Sequence, residues 1–205
     1  MTRKLNITQK NKVQLHFYSY KNHALMYVDS NLEQDLARVF EFDDNIKRYR
    51  TQPFSTYYRN ELGDLCRYTE DVLIEYVDTS LNHLEIKPEK HAKTVVFKHK
   101  LDILKRHYKS KFNAQLNVFT DKTFTKEHIQ NCKLLYRFKV KPLSLLERGF
   151  VQTIDIPSLT FGQLKERVLA ANQHLSLAFK IAAHQALKWN IKAALNDETT
   201  MEVCA

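Results

Sequence analysis

Two acidic residues and a lysine stand at the ends of two strand-like segments, where together they could hydrolyse a phosphodiester. Glu85 and Lys87 are two residues apart just before Pro88, so on a strand both side chains project from one face. Asp71 begins the preceding strand-like segment and brings a second carboxylate to the same end. Asp71 and Glu85 offer the oxygen ligands that Mg²⁺ prefers, and the ion would supply an activated water. Lys87 would orient that water and offset the charge of the transition state.

Glu33 is the candidate for a further carboxylate of this site, completing the metal shell or placing a second ion. Ser30 to Glu33 reads Ser-Asn-Leu-Glu, the pattern of a capping box, so Glu33 could equally be only a helix-capping residue. Glu75 is a rival for the carboxylate role of Asp71, and His83 is either an outer group of the site or an ordinary strand histidine. A Glu-x-Lys pair on a strand is often a solvated face. The residues alone leave both interpretations open.

Hydrophobic spacing predicts the elements that must position these groups. A helix is predicted from Ser30 to about Phe40, and a strand-like segment over 46–58 is interrupted at Gln52-Pro53. Clean alternation over 72–77, a turn over 78–80 and a second strand over 83–87 that ends at Pro88 together predict a β-hairpin. Residues 1–28 show neither pattern clearly and are predicted to form an extended arm.

The chain continues with a helix predicted from Thr94 to Tyr108 and a strand over 114–119. The order strand, strand, helix, strand predicts a mixed α/β sheet with a crossover connection. Four cations of this helix are candidates for contacts with DNA phosphates, and a solvated helix face is an equal alternative. They are Lys98, Lys100, Lys105 and Arg106.

The sequence changes character over residues 136–150, where Pro142 and Gly149 interrupt the pattern. The segment after Gly149 is mainly helical, with a short β-wing predicted over 190–203. We therefore predict a catalytic domain over 1–135 and a small helical, winged-helix-like domain over 136–205. A simple helical appendage that packs on the catalytic core is a comparable alternative.

Composition favours a polyanionic partner. Lysine and arginine number 32 against 23 acidic residues, which gives a net charge of +9. The three cysteines, Cys66, Cys132 and Cys204, contain no C-x-x-C pair, which fits reduced thiols and argues against a zinc site. The chain has no signal-peptide pattern and no apolar run of membrane-spanning length, so a cytoplasmic protein acting on DNA is expected.

An ordered set of short motifs resembles the TnsA endonuclease family. The motifs are Leu32-Glu33, Phe42-Asp43, Gln52-Pro53, Tyr68-Thr69-Glu70-Asp71 and Glu85-Ile86-Lys87-Pro88. TnsA is the endonuclease subunit of the heteromeric transposase of Tn7-type bacterial transposons, some of them CRISPR-associated. The resemblance covers roughly residues 25–135 and implies a restriction-endonuclease-like fold. It places the catalytic residues at Glu33, Asp71, Glu85 and Lys87, with Asp71, Glu85 and Glu33 on Mg²⁺ or, in its place, Mn²⁺.

The resemblance also implies a reaction and partners. The family cuts one strand at the 5′ ends of the element, a TnsB-type transposase acts at the 3′ ends, and a TnsC-type AAA+ ATPase contacts the C-terminal region. Gln52 is a site-shaping candidate without a catalytic role. One residue departs from the family pattern: Glu70 stands where proline is usual, which alters the approach to Asp71 or adds a carboxylate near the metal. The alternative functions are a stand-alone restriction or repair nuclease and a non-catalytic DNA-binding assembly module.

Overall fold

The computed structural model describes residues 15–203, and the chain divides into two compact units, 1–123 and 124–205. The elements of the first unit are β1 (Leu15–Ser19), β2 (Ala24–Val28), α1 (Asn31–Phe42), β3 (Ile46–Thr51), β4 (Ser55–Arg59), β5 (Leu65–Thr69), β6 (Val72–Tyr76), β7 (Leu81–Ile86), α2 (Glu89–Ala92), α3 (Val95–Phe112) and β8 (Leu116–Phe119). Those of the second are α4 (Lys126–Leu135), a 3₁₀ turn (Tyr136–Phe138), α5 (Leu145–Gln152), β9 (Ser158–Thr160), α6 (Phe161–Ala170), α7 (Ser176–Ala183), β10 (Leu187–Lys188) and β11 (Thr200–Val203).

A four-stranded mixed sheet forms the centre of the first unit, in the order β3-β6-β7-β8. Strand β6 is antiparallel to both β3 and β7, whereas β7 and β8 are parallel. Parallel neighbours need a long crossover, and α2 and α3 lie in that connection. The predicted mixed α/β sheet with a crossover is therefore confirmed, and it agrees with a restriction-endonuclease-like fold.

The burial patterns of β6 and β7 explain why these segments form strands of the central sheet. In β6, Val72 and Ile74 are buried at alternate positions, as expected for a strand with one face on the core. In β7, the four positions from His83 to Ile86 are all buried. A central strand covered on both faces shows such a continuous buried run. Consequently Glu85 is held in a largely water-free position, with only 6% of its surface exposed.

Helix α1 begins after Ser30, whose side chain accepts a hydrogen bond from the Glu33 N–H, so the predicted N-cap is confirmed. Leu36 and Phe40 are fully buried along its inner face. The buried carboxylate of Glu41, near the end of the helix, accepts hydrogen bonds from Ser19 Oγ at 2.6 Å and from the backbone N–H of Tyr20 at 2.9 Å. Glu41 thereby ties the preceding segment to α1.

That preceding segment corrects the prediction of an extended arm over 1–28. Residues 15–28 form an antiparallel hairpin of β1 and β2, with Leu15 opposite Val28. Pairing satisfies backbone N–H and C=O groups that a lone extended chain would leave to water. The rest of the predicted arm, residues 1–14, lies outside the described residues.

Strands β4 and β5 pair with each other as a two-stranded ribbon, separate from the central sheet. The inward side chains of Tyr58 and Tyr68 pack with Leu104 and Tyr108 of α3 in one buried cluster. The turn at the tip of the ribbon contains Gly63, whose φ of 80° suits glycine best. Helix α3 therefore holds one face of the ribbon and leaves the other outward.

The second unit contains a small antiparallel sheet in the order β10-β11-β9. Helices α6 and α7 lie between β9 and β10 along the chain, and β10 and β11 form the hairpin at the position of the predicted wing. This element order is compatible with a winged helix, although the winged-helix assignment stays a prediction. Helix α7 is apolar, and its residues Leu177, Ala178 and Ile181 are buried.

The predicted boundary after residue 135 differs from the boundary between the compact units. Helix α4 belongs to the second unit, where Asn131 Nδ2 donates hydrogen bonds to the carbonyls of Ile191 and Ala193 at 2.8 and 2.6 Å. The change in sequence character near Pro142 marks a loop inside this unit. It does not mark the start of the unit, because α4 packs with residues that are distant in sequence.

Among residues 15–203, no helix has the length and apolar character needed to cross a membrane. Cys66 and Cys132 are free thiols, as expected for reduced cysteines. The prediction for Cys204 lies outside the described residues.

Candidate active site

Asp71 and Glu85 lie side by side at one end of the β6–β7 hairpin. Val72 pairs with Leu84, so the next residue outward on each strand brings Asp71 opposite Glu85. The backbone N–H of Asp71 donates to the Leu84 carbonyl at 3.1 Å. Its carboxylate Oδ2 accepts from the backbone N–H of Ile86 at 2.7 Å. These two bonds fix the Asp71 carboxylate beside Glu85.

Lys87 lies at the exposed margin of this carboxylate pair. Its ammonium is 3.6 Å from Glu85 Oε1, and 40% of the side chain is exposed. The ammonium also lies 5.7 Å from the ring centroid of Phe97 on α3. The backbone N–H of Lys87 donates to the Phe119 carbonyl at 2.9 Å, so β8 fixes the strand end. An entering phosphate would therefore meet the ammonium next to the buried carboxylates.

Tyr68 on β5 holds the other oxygen of Glu85. Its hydroxyl donates a hydrogen bond to Glu85 Oε2 at 2.6 Å. Burial, followed by the Glu85 charge, raises the pKa of Tyr68 far above its usual value, so the hydroxyl stays protonated. Glu85 is thus fixed through Oε2, while Oε1 faces Lys87.

The carboxylates repel one another in the absence of a cation. Burial, and next the Glu85 charge, raises the pKa of Asp71 to about 8, against the lowering effect of the Ile86 N–H. The Glu33 charge adds to this rise, so Glu33 lies within electrostatic range of Asp71. Its own oxygens accept hydrogen bonds from the Asp29 N–H at 2.9 Å and Ser30 Oγ at 2.8 Å. Glu33 therefore stabilises the start of α1 and also contributes negative charge to the site.

The donor set fits a hard divalent cation. Among residues 15–203, no group of three or more His, Cys, Asp or Glu side chains is arranged as a ready-made metal cage. Mg²⁺ in phosphate-processing sites does not need one, since it binds one or two carboxylates and completes its shell with water and phosphate oxygens. Asp71 and Glu85 supply two such carboxylates. A bound cation would relieve the repulsion between their negative charges.

A family comparison agrees with this geometry. Residues 43–125 match the family described as TnsA-like endonuclease N terminal. This segment is therefore similar to the N-terminal domain of TnsA-like endonucleases. The match indicates a nuclease of the Tn7 transposase type, and the matched segment contains Asp71, Glu85 and Lys87, whereas Glu33 precedes it. No curated protein matched the chain.

Glu75, the rival carboxylate, lies away from the candidate site. It is paired with Lys47 Nζ at 2.9 Å and with the guanidinium of Arg48. It lies opposite Leu81, toward the other end of the β6–β7 pair. Two cations neutralise it there, so it is not available to the site.

Glu70, the departure from the family pattern, is fully buried and bonded to a histidine. Its Oε2 lies 2.7 Å from His83 Nδ1. Burial raises the pKa of Glu70, and the contact with His83 opposes that rise. Its Oε2 is thus engaged by His83, whereas Oε1 is buried with no hydrogen-bond partner within residues 15–203. His83 is accordingly a partnered strand histidine. The alternative that Glu70 adds to the metal shell stays a prediction.

Gln52, the predicted site-shaping residue, contacts the backbone of Asp71. Its N–H donates to the Asp71 carbonyl at 2.8 Å. It has a φ of 47°, in the left-handed region, immediately before Pro53. This conformation is unfavourable for a non-glycine residue, and more so before proline. Local backbone strain therefore lies directly beside the candidate metal ligand.

The four cations predicted to contact DNA are all exposed on α3, but they do not form one face. Lys98 and Lys105 are seven residues apart and project together, whereas Lys100 projects to nearly the opposite side. The Lys100 ammonium lies 5.6 Å from the ring centroid of Tyr68, near the candidate site. Lys105 and Arg106 line a hollow that also contains two carboxylates, those of Glu61 and Asp102. Their role in DNA binding stays a prediction.

Tyr68 is the site residue to which the sequence assigned no role. It lies in the matched Tyr-Thr-Glu-Asp motif, and its strand position predicts an inward side chain. Its contact with Glu85 joins two different sheets, which hydrophobic periodicity does not reveal.

Proposed function

We propose that this chain is the endonuclease subunit of a Tn7-type transposase. It hydrolyses one DNA strand at the 5′ ends of the transposon during cut-and-paste transposition, with Mg²⁺ as cofactor and Mn²⁺ as a substitute. The supporting observation is that Asp71, Glu85 and Lys87 converge within the segment that matches the TnsA-like endonuclease family.

In the proposed mechanism, Asp71 and Glu85 hold the cation, and Glu33 is the further carboxylate. The ion, when bound, supplies Lewis acidity at a phosphoryl oxygen and makes water a stronger nucleophile. Tyr68 keeps Glu85 in place by donating to Oε2. A ligand held in this way needs less reorganisation when the cation binds.

Lys87 is the residue proposed to interact with the scissile phosphate and the attacking water. Its ammonium lies beside Glu85 Oε1 at the exposed margin of the site, where it can donate to the attacking water and to a phosphate oxygen. Because the negative charge on the phosphate grows as water attacks, a fixed cation stabilises the transition state more than the ground state. The carboxylates cannot do this themselves, since their charge has the same sign.

The proposed partners are double-stranded DNA at the transposon ends, a TnsB-type transposase and a TnsC-type AAA+ ATPase. The family match supports this setting. For the second unit, a protein contact is favoured over major-groove reading by α7, because α7 buries its apolar side chains within the unit.

The deciding experiment combines the purified chain with its partner transposase and ATPase on DNA carrying end-labelled transposon ends. We expect Mg²⁺-dependent nicks at the 5′ ends, read on a denaturing gel, and little cleavage by the chain alone. Efficient cleavage by the chain alone would favour a stand-alone nuclease. Assembly on DNA without any 5′ nick would favour a non-catalytic assembly module.

Tyr68→Phe tests the support of Glu85. The variant keeps the ring and removes only the hydroxyl, so Glu85 should lose its fixed orientation. We expect Mn²⁺ affinity, measured by calorimetry, to fall about 10-fold or more, as for other outer groups of metal sites. Tyr108→Phe is the matched control, because its hydroxyl is also buried but donates no hydrogen bond to Glu85. Equal Mn²⁺ affinity in wild type and Tyr68→Phe would show that the contact has no positioning role.

A further inference from the structure

The outer face of the β4–β5 ribbon carries two arginines and a tyrosine in open solvent. Tyr57 pairs across the ribbon with Arg67, and Arg59 pairs with Leu65. Directly opposite residues of an antiparallel pair project from the same side, so these four side chains share one face. Tyr57 is 56% exposed and Leu65 is 64% exposed. The outer face thus places an exposed aromatic ring beside two guanidinium groups.

The charges on this face are not neutralised within the described residues. Arg59 Nη1 donates to the Gly63 carbonyl at 2.6 Å, and Arg67 Nη2 donates to Ser55 Oγ at 2.9 Å. Both acceptors are uncharged, and neither arginine forms an ion pair with any residue of 15–203. The outward positions of the two strands contain no acidic residue; they are Ser55, Tyr57, Arg59, Leu65, Arg67 and Thr69. The outer face therefore carries a local excess of positive charge.

The orientation of this face is fixed by the packing of the opposite side. Tyr58 and Tyr68 are buried against α3, so the ribbon cannot turn its outer face inward without breaking that cluster. The same strand β5 leads directly into the candidate active site. Tyr68 donates to Glu85, and the chain reaches Asp71 two residues after Thr69. The outer face is therefore continuous along the chain with the segment that carries Asp71, while Tyr68 reaches Glu85 from the inner face of the same strand.

We infer that the outer face of the β4–β5 ribbon binds the DNA backbone beside the cleaved bond, with Arg59 and Arg67 on phosphates and Tyr57 packed against the sugar-phosphate chain. This inference rests on the proposed nuclease function. Guanidinium groups bind phosphate through two parallel N–H donors. Diagonal neighbours across a ribbon are about 7–8 Å apart, which lets two arginines reach separate phosphates.

Helix α3 offers a poorer surface for the same partner. Its cations Lys105 and Arg106 share their hollow with the carboxylates of Glu61 and Asp102, which would repel phosphate. The outer face of the two strands has no carboxylate, and two acidic residues near them in sequence, Glu61 and Asp64, lie in the turn at the tip of the ribbon. It therefore matches a polyanion better.

The test is the double variant Arg59→Gln/Arg67→Gln, with binding to a duplex of the transposon end followed by fluorescence anisotropy over a series of salt concentrations. Loss of two phosphate contacts should lower the slope of log affinity against log salt by about 2. Affinity should fall about 10-fold or more at low salt. Mn²⁺ binding and the thermal unfolding temperature should stay at wild-type values, because neither arginine contacts the carboxylates or the core.

The matched control is Lys47→Gln/Arg48→Gln, which removes the same charge from the same unit at two exposed cations that are already paired with Glu75. An unchanged salt slope in the ribbon variant, or an equal fall in the control variant, would overturn the inference. Failure of the proposed function would look different, since the wild-type chain would then leave transposon ends uncut in the complete system. A wild type that cuts, together with a ribbon variant that binds DNA normally, would reject only the ribbon assignment.

Discussion

Asp71→Asn should abolish cleavage of the 5′ strand while leaving the domain folded. The substitution removes one of the two carboxylates at the end of the β6–β7 hairpin and keeps an oxygen that can accept from the Ile86 N–H. Removing one group that stabilises the charge of a transition state lowers the reaction rate by about 10²- to 10³-fold. We expect at least this loss in the single-turnover cleavage rate of the assembled system. Calorimetry should show Mn²⁺ binding lost or strongly weakened.

The pH dependence gives this prediction an independent readout. Because burial and the Glu85 charge raise the pKa of Asp71 to about 8, a proton competes with the cation below that pH. Wild-type Mn²⁺ affinity should rise as pH increases toward 8, and the Asn variant should lose this rise. Without metal, the raised pKa makes the folded protein less stable as pH rises from about 4 to about 8. Asp71→Asn should remove that loss, so its unfolding temperature at pH 8 should equal or exceed the wild-type value.

Glu75→Gln is the control for Asp71, since it removes a carboxylate from the same strand that is already paired with Lys47. Its cleavage rate should stay within about twofold of wild type, as surface ion pairs contribute little. If Asp71→Asn cut DNA at the wild-type rate, Asp71 would not be a metal ligand. If Glu75→Gln lost activity instead, the carboxylate assignments would have to be exchanged.

Lys87→Met should separate metal binding from chemistry. The methionine keeps an apolar stem near Phe97 but removes the ammonium next to Glu85 Oε1. Positioned groups that handle protons or charge contribute about 10²- to 10⁴-fold, so single-turnover cleavage should fall by that factor. Mn²⁺ affinity should not fall, because loss of the neighbouring positive charge leaves the carboxylates more attractive to a cation.

Lys93→Met is the matched control next to helix α2, where Lys93 forms an exposed ion pair with Glu89 at 2.8 Å. It should cleave at the wild-type rate. A Lys87→Met variant that loses Mn²⁺ binding in parallel with cleavage would contradict the assignment. The lysine would then be a structural support of the carboxylate pair.

Much of the candidate site could be predicted because it lies on two consecutive strands. Alternation places Glu85 and Lys87 on one face, and a hairpin brings Asp71 opposite them, so local spacing and one short connection suffice. The crossover to β8 was predictable for a similar reason, since an amphipathic helix between two strands usually connects parallel neighbours.

The features of the fold and the site that the sequence does not predict depend on contacts between segments distant in sequence. Periodicity predicts that Tyr68 faces inward, but it does not reveal that the tyrosine reaches a carboxylate on another sheet. The strand-like pattern over 46–58 does not show that its second half leaves the central sheet to pair with β5. The boundary between the compact units lies ahead of the predicted domain boundary, because α4 is tied to the second unit by bonds to Ile191 and Ala193. These residues lie sixty or more positions onward from Asn131.

The burial of Glu70 against His83 makes these two positions epistatic. Proline at position 70, usual in the family, would remove the hydrogen-bond partner of His83 Nδ1 in this chain. An unsatisfied buried polar group costs about 1–3 kcal/mol, so the residue that is ordinary in relatives would be a defect here. We therefore expect Glu70→Pro to lower the unfolding temperature less when His83 is exchanged for an apolar residue in the same chain. The glutamate and the histidine then behave as one coupled pair.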